Sequence, residues 1–509
     1  MYHEKTFLCL AFSFLALSGW AQSPEDATTY AETITRDDLY DHLSILASDA
    51  LEGRETGERG QKMAAAFISH HFAKLGLQGP VKNSADPYLQ KVPFYSNRPG
   101  QIWVKAGGKT YTNHQEILYL GSGHTVGEKT SELVFAGKGE EADYAKLNVK
   151  DKAVLIQADD WRRYRTLTAQ ARKQGAAAVF IMASATAADH QKLVEQFKPY
   201  TRGGGLRLQK PDLSKDNSAA GTFFISPEAA AAIMGSSPAK LQEAAQEKNR
   251  KKLAGIKARP FSFQIEQQIT TIESENVLGF LEGSDKKDEV LVITAHYDHI
   301  GRQGEHINNG ADDDGSGTSA VMELAEAFVK AKQDGKGPRR SILFMLVTAE
   351  EKGLLGSEYY ASNPIFPLTS TVANLNIDMI GRVDPKHEGN PNYVYLVGAN
   401  RLSSELHELS ERTNATYTQF ELDYTYNDEN HPDRIYYRSD HWNFAKNGIP
   451  VIFYFNGVHD DYHKPTDTID KIHFEALQKR AQLVFYTAWE LANRDNRPLV
   501  DKEPAKSNP

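Results

Sequence analysis

A chain of 509 residues with 40% hydrophobic and 25% charged side chains has material for two or three soluble domains and an ample core. Its formal charge of −9 and the lack of any long Lys/Arg run argue against nucleic acid as a partner, because phosphate binding needs a basic face. The only cysteine, Cys9, lies in the apolar part of a leader-like segment, so the rest of the chain can form neither disulfides nor thiolate metal sites.

Residues 1–21 read as a signal peptide: Lys5 near the start, an apolar stretch from Phe7 to Leu17, and small residues Gly19 and Ala21 before a cleavage point. The stretch is too short for a comfortable membrane span, so no stable membrane insertion is expected once it is removed. Export without disulfides suits a bacterial periplasmic or secreted protein. A polar linker then leads to a helix starting at Thr35-Arg36-Asp37, with Leu39, Leu43 and Leu46 at helical spacing. The glycine-punctuated loop Leu51–Gly57 reads as a connector, and a second amphipathic helix, about Gly60 to Leu75, is closed by Gly76.

Texture changes between residues 116 and 255. Short strands are expected at 132–137, 153–156, 175–181 and 223–226, with helices near 168–174 and 229–234 and an exposed loop over 200–217. No set of histidines and carboxylates stands at strand ends there, which suggests a non-catalytic domain, and the highly charged 240–257 reads as a helix or linker leading out. From Asn276 onward strands and helices alternate. Strands are expected at 277–281, 290–295, 342–347, 373–377, 393–397 and 451–455, with helices at 318–332, 355–361, 403–413 and 474–492. The expected fold is α/β, a mostly parallel central sheet with helices on both faces, plus a smaller inserted α/β or β-rich domain. The division is then a leader (1–21), an N-terminal part of the catalytic domain (22–115), an insert (116–255) and the main catalytic part (256–509).

Five places put ionisable residues just beyond a buried strand: His296, the triplet Asp312-Asp313-Asp314, Glu350-Glu351, Asp378 and His463. Each alone has a bland explanation as a helix cap or a solvated loop residue. All five at the carboxyl edge of one sheet would crowd carboxylates that need cations to be stable. Two histidines and three carboxylates, one of them bridging, suit two zinc ions with open coordination. Such a pair acidifies water and polarises a carbonyl. In Glu350-Glu351 one carboxylate can bind metal while its neighbour takes the proton, and Asp298 can orient the His296 imidazole. Spacing does not choose among the three aspartates, nor exclude His299, His306 or His459.

The motifs His296-Tyr-Asp298, Gly310-Ala-Asp-Asp-Asp-Gly-Ser-Gly317, Ala349-Glu-Glu-Lys-Gly-Leu-Leu-Gly356, Asn376-Ile-Asp378-Met and Tyr462-His463-Lys-Pro-Thr-Asp467-Thr468 resemble those of the M28 family of zinc peptidases. Leu46–Arg54 also resembles that family's opening segment, and Asp143–Leu147 with Gly175–Val179 resembles the protease-associated domain often inserted in such enzymes. The resemblance implies one zinc on His296 and Asp378, the other on Glu351 and His463, and Asp313 bridging them. It also implies Glu350 as general base, Asp298 as orienting group, and Asp440 with His441 near the substrate. The implied activity is aminopeptidase action on peptides. A single-zinc glutaminyl cyclase, a carboxypeptidase and a catalytically dead peptide-binding or receptor-like protein remain as rivals. The sequence leaves the preferred terminal residue and the oligomeric state open.

Overall fold

The computed structural model describes residues 24–503, apart from 202, 204, 218–220, 247–252, 254 and 429. The expected leader, 1–21, lies outside the described residues. The chain divides into two units, one holding the described residues up to Lys91 and from Glu275 onward, the other Val92–Ser274.

In the first unit the elements are α1 (Pro24–Ala31), α2 (Arg36–Leu46), α3 (Arg59–Leu75), β1 (Arg259–Leu281, of which 275–281 belong here), β2 (Lys286–His296), α4 (Gly317–Gln333), β3 (Arg340–Val347), α5 (Leu355–Ser362), β4 (Thr371–Ile377), β5 (Tyr393–Val397), α6 (Ser404–Thr413), β6 (Glu421–Asp423), α7 (His441–Ala445), β7 (Val451–Phe455) and α8 (Phe474–Asn493). Strand order is β6-β5-β7-β4-β2-β3-β1. The four central strands β7, β4, β2 and β3 are mutually parallel, whereas β5 and the 277–281 part of β1 run antiparallel to their neighbours β7 and β3.

Both faces of this sheet are covered, because successive side chains of a strand point to opposite sides. Leu291, Ile293 and Ala295 join a core with α2, α3, α4 and α8. Val290 and Val292 join another core, with Tyr360 of α5 and Phe444 of α7. Thr35 caps α2 by accepting from the Asp38 amide, and Gly76 ends α3 at φ 78, a left-handed conformation that glycine adopts without penalty. The segment read as a polar linker contains α1: in PEDATTYA the short apolar stripe Ala27, Tyr30 and Ala31 is buried, and Tyr30 stacks on Trp489 of α8.

The second unit begins and ends beyond the 116–255 expected from sequence. Residues 89–106 form a strand paired with Lys109–Thr112 through the turn Gly107-Gly108, both at positive φ, and residues 259–263 pair with Lys129–Phe135. Long strands at both ends are polar on alternate residues, which sequence texture alone does not separate from linker. Within the unit, Lys129–Phe135, Ala153–Gln157, Ala178–Met182 and Gly221–Ile225 run parallel in that order, and Ile117–Gly121 closes on the last of them antiparallel. The charged 240–257 starts as helix Pro238–Ala244, and most of its remainder lies outside the described residues.

Candidate metal centre

Parallel strands end at a common edge, so residues that follow β3, β2, β4 and β7 converge even though the sequence separates them widely. β2 finishes on His296, which stands opposite Val347, the last residue of β3. Glu350 and Glu351 follow β3, Asp378 follows β4 directly, and His463 lies in the loop after β7. The Asp312–Asp314 triplet lies between β2 and α4, and the Asp313–Asp314 peptide is cis. Ala349, Met379 and His463 are non-glycine residues in the left-handed region (φ 57, 55 and 56). Each such residue costs roughly 1 kcal/mol or more, and here they sit at or beside the convergent side chains.

The ligand-type atoms meet in two groups that share Asp313. His296 Nε2 is 3.2 Å from Asp313 Oδ1 and 3.6 Å from Asp378 Oδ1. On the other side, His463 Nε2 is 3.1 Å from Asp313 Oδ2 and 3.0 Å from Glu351 Oε2. Asp313 Oδ2, Glu351 Oε1 and His463 Nε2 are buried and have no hydrogen-bond partner. A buried polar atom left unpaired is costly, so the cluster has the orphaned donor atoms and the His/carboxylate chemistry that fit zinc.

Geometry separates the three aspartates that spacing could not. Asp312 accepts from the Gly381 amide and lies 3.1 Å from His459 Nε2. Asp314 accepts from the amides of Gly317, Met379 and His296. Both flanking carboxylates are therefore occupied by the scaffold, and Asp313 is the one that faces the histidines. The Asp467 carboxylate backs this loop by accepting from the Asp312 and Asp313 amides at 3.0 and 3.2 Å. His459 is thus engaged by Asp312, and His306 is exposed.

His299 is the residue whose place sequence reasoning missed. Fully buried, it puts Nδ1 2.8 Å from Glu351 Oε1 and 3.7 Å from Asp313 Oδ2. Asp298 also departs in detail from expectation. The nearest partner of His296 Nδ1 is the Asp298 backbone carbonyl, at 3.0 Å, with the carboxylate at 3.8 Å. That carboxylate instead accepts from the Thr56 hydroxyl at 2.7 Å and from the Glu350 amide at 3.2 Å. Burial, reinforced by the carboxylates of Asp378, Glu351 and Asp440, holds the Glu350 carboxyl well above its ordinary value, against the opposing charge of His296.

The loop 51–57, read as a connector, packs against the site. Arg54 is 1% exposed and donates to the carbonyls of Tyr297, Leu46, Asn309 and Gly310 at 2.8, 2.5, 2.6 and 2.9 Å. Gly53 (φ 70) lies so close to the next segment that a Cβ would stand 2.4 Å from the Asn308 carbonyl oxygen. Asp440 and His441 have no exposed surface. Asp440 accepts from Ser357, and burial pushes its carboxyl up to about 7. His441 stacks on Phe453, and burial pushes it down to about 3. Their neighbour Ser439 reaches the cluster itself, donating to Asp378 Oδ2 at 2.6 Å.

Residues 276–488, which carry all of these groups except the 51–57 loop, match the model of peptidase family M28. The chain is 26% identical over 476 residues to the aminopeptidase YwaD of Bacillus subtilis (strain 168), covering 92% of this chain and 87% of that protein. It is 31% identical over 215 residues to a probable leucine aminopeptidase of Arthroderma otae, covering 41% of this chain and 55% of that one. An aminopeptidase from Aneurinibacillus sp. strain AM-1 shares the fold, with a TM-score of 0.52 at 20% identity over 94% of this chain and 98% of that one. Among the described residues no helix is long and apolar enough to cross a membrane. The match to peptidase family M28 falls on the sheet whose strand ends assemble the His/carboxylate cluster.

Proposed function

We propose that this zinc-dependent metallopeptidase removes residues from the N-terminus of peptides, using two zinc ions. In this reading His296 and Asp378 hold one ion, Glu351 and His463 hold the other, and Asp313 is shared. The observation that supports it best is the way Asp313 divides its carboxylate: Oδ1 faces His296 and Oδ2 faces His463. When bound, the ions would supply Lewis acidity toward the scissile carbonyl and acidify the attacking water.

The protein's own groups do the rest. Glu350, whose amide is tethered to Asp298 and whose carboxyl is made more basic by burial, takes the proton from the attacking water and passes it to the leaving amine. The Asp298 carbonyl accepts from His296 Nδ1, which leaves Nε2 as the metal-facing nitrogen. His299, whose Nδ1 lies 2.8 Å from Glu351 Oε1, is assigned in this reading to positioning Glu351, although it also groups with Asp313 and Glu351 within ligand distance. Asp440 and His441 stand behind the substrate pocket and support its wall through Ser357 and Phe453. Unit 92–274 is the protease-associated insert, and the chain is exported to the periplasm or medium.

A panel of short peptides with free and blocked N-termini, assayed with the zinc-loaded protein, tests the reading. Release of the first residue from free peptides only is expected. Cleavage of blocked peptides at their C-terminal end would replace it with a carboxypeptidase, and pyroglutamate formation would replace it with a cyclase.

A further inference from the structure

A second cluster of metal-type side chains lies elsewhere in the first unit and shares no residue with the centre above. His42 of α2, His71 of α3 and Glu326 of α4 offer ligand atoms that all lie within 4.8 Å of one another. Glu323, one turn before Glu326 on α4, is 1% exposed and puts Oε1 3.1 Å from His42 Nε2. His42 Nε2 and His71 Nε2 are 3.5 and 3.4 Å from Glu326 Oε1. The two imidazoles meet edge to face, with ring centroids 4.7 Å apart.

These separations discriminate between two explanations. A direct N–H···O hydrogen bond spans about 2.7–3.2 Å. Two ligands bonded to a tetrahedral zinc at about 2.0–2.1 Å lie about 3.3 Å apart, which is the edge of the tetrahedron. The contacts to Glu326 exceed the first range and sit close to the second, and the 3.1 Å contact between Glu323 and His42 is compatible with either. His71 Nε2 is buried without a hydrogen-bond partner, while His71 is held from behind by a hydrogen bond to the Met322 backbone. A backbone bond behind an imidazole whose other nitrogen is free is how ligating histidines are oriented. Two neutral imidazoles and two carboxylates around one divalent cation form a set with no net charge, as burial requires. The side chains of His42 and His71 are 13% and 11% exposed and that of Glu326 is 41% exposed, which gives an ion a way in from solvent.

We infer that His42, His71, Glu323 and Glu326 form a separate, closed site for one divalent transition-metal ion of the zinc class, tying α2 and α3 to α4. His42, His71 and Glu326 converge on one point and Glu323 adjoins them through His42, so four side chains are at hand to close the coordination, as in a structural site. α4 follows directly from the Asp312–Asp314 loop, and Leu43, next to His42, closes on Gly315 of that loop.

Metal analysis of the full-length protein, stripped with chelator, reloaded with zinc and desalted, tests the assignment. Glu323→Gln and His71→Asn should each hold one zinc per chain fewer than wild type and keep peptidase activity within about twofold. Adding Glu323→Gln to Asp313→Ala should remove one zinc more than Asp313→Ala alone, so failure here is distinguishable from failure at the catalytic centre. Unchanged zinc content in Glu323→Gln would overturn the site and leave a protonated imidazole–carboxylate network. Should the variants not fold, an anomalous-scattering map of wild-type crystals at the zinc edge decides: a peak among the four side chains supports the site, and none at saturating zinc refutes it.

Discussion

Arg54 is the sharpest test of how the loops that carry the His/carboxylate cluster are held. Its guanidinium gives four hydrogen bonds to buried carbonyls, three of them, Tyr297, Asn309 and Gly310, in the segments that carry His296 and the aspartate triplet. Burial lowers its proton affinity, but Asp313, Asp298, Asp467 and Asp314 oppose that, and the group stays charged. Arg54→Met fills similar space with no donor. A buried carbonyl without a donor costs roughly 1–3 kcal/mol, so four carry a gross penalty of about 4–12 kcal/mol. Relieving the guanidinium of its own desolvation offsets several kcal/mol of this. The expected net loss is about 3–5 kcal/mol. Arg54→Lys keeps the charge but has three donors on a single atom, so it should lose about half as much. Urea unfolding followed by circular dichroism, with chelator present so that metal binding does not contribute, measures both. The shift belongs to the transition of the unit that contains Arg54. An Arg54→Met protein within 1 kcal/mol of wild type would refute the idea that this side chain fastens the loops.

Glu350→Gln should lower turnover by about 10²–10⁴-fold and leave zinc content unchanged, whereas Asp313→Ala and His463→Ala should lose zinc and His299→Ala should retain it, all readable by metal analysis beside a peptidase assay. Gly356→Ala places a Cβ 2.0 Å from the Thr348 carbonyl oxygen, beside the turn that presents Glu350. Such overpacking should cost about 1–3 kcal/mol and lower the melting temperature in calorimetry, and an unchanged temperature would contradict it. His190, buried in the second unit, is pushed down to about 4 by burial. The unfolded chain therefore binds a proton that the folded one refuses between about pH 6.5 and pH 4, so stability falls as pH drops through that window, by up to about 3 kcal/mol. His190→Gln should flatten that acid-side slope in pH-dependent urea unfolding, and an unchanged slope would assign it to other groups.

Part of the candidate centre was legible because some of its groups stand at the end of an apolar strand or a few residues beyond it, and parallel strands bring such residues to one edge whatever their order in the chain. His296, Glu351 and Asp378 are of this kind. Choice among the three aspartates was not legible from spacing and rested on the family resemblance alone. It depends on amides of Gly381, Met379 and Gly317 capturing Asp312 and Asp314, and the first two of those belong to a segment after β4, distant in the chain. The same holds for Arg54 and His299, whose partners are backbone carbonyls and a carboxylate far away in sequence. Helix α1 was not legible because its apolar residues Ala27, Tyr30 and Ala31, though at i, i+3 and i+4, span little more than one turn, too short a run to establish a period.

The assembly of the centre from the ends of β2, β3, β4 and β7 also has a kinetic consequence. No short stretch of chain holds enough of the donor set to bind an ion, since His296 and His463 meet only after the central strands have paired. Such long-range pairing is slow and comes late in folding. An ion that recognises only the finished edge cannot speed the route to it. It acts on the return journey, by making the paired strands slower to come apart, so zinc should lengthen the lifetime of the folded protein far more than it shortens the time needed to reach it.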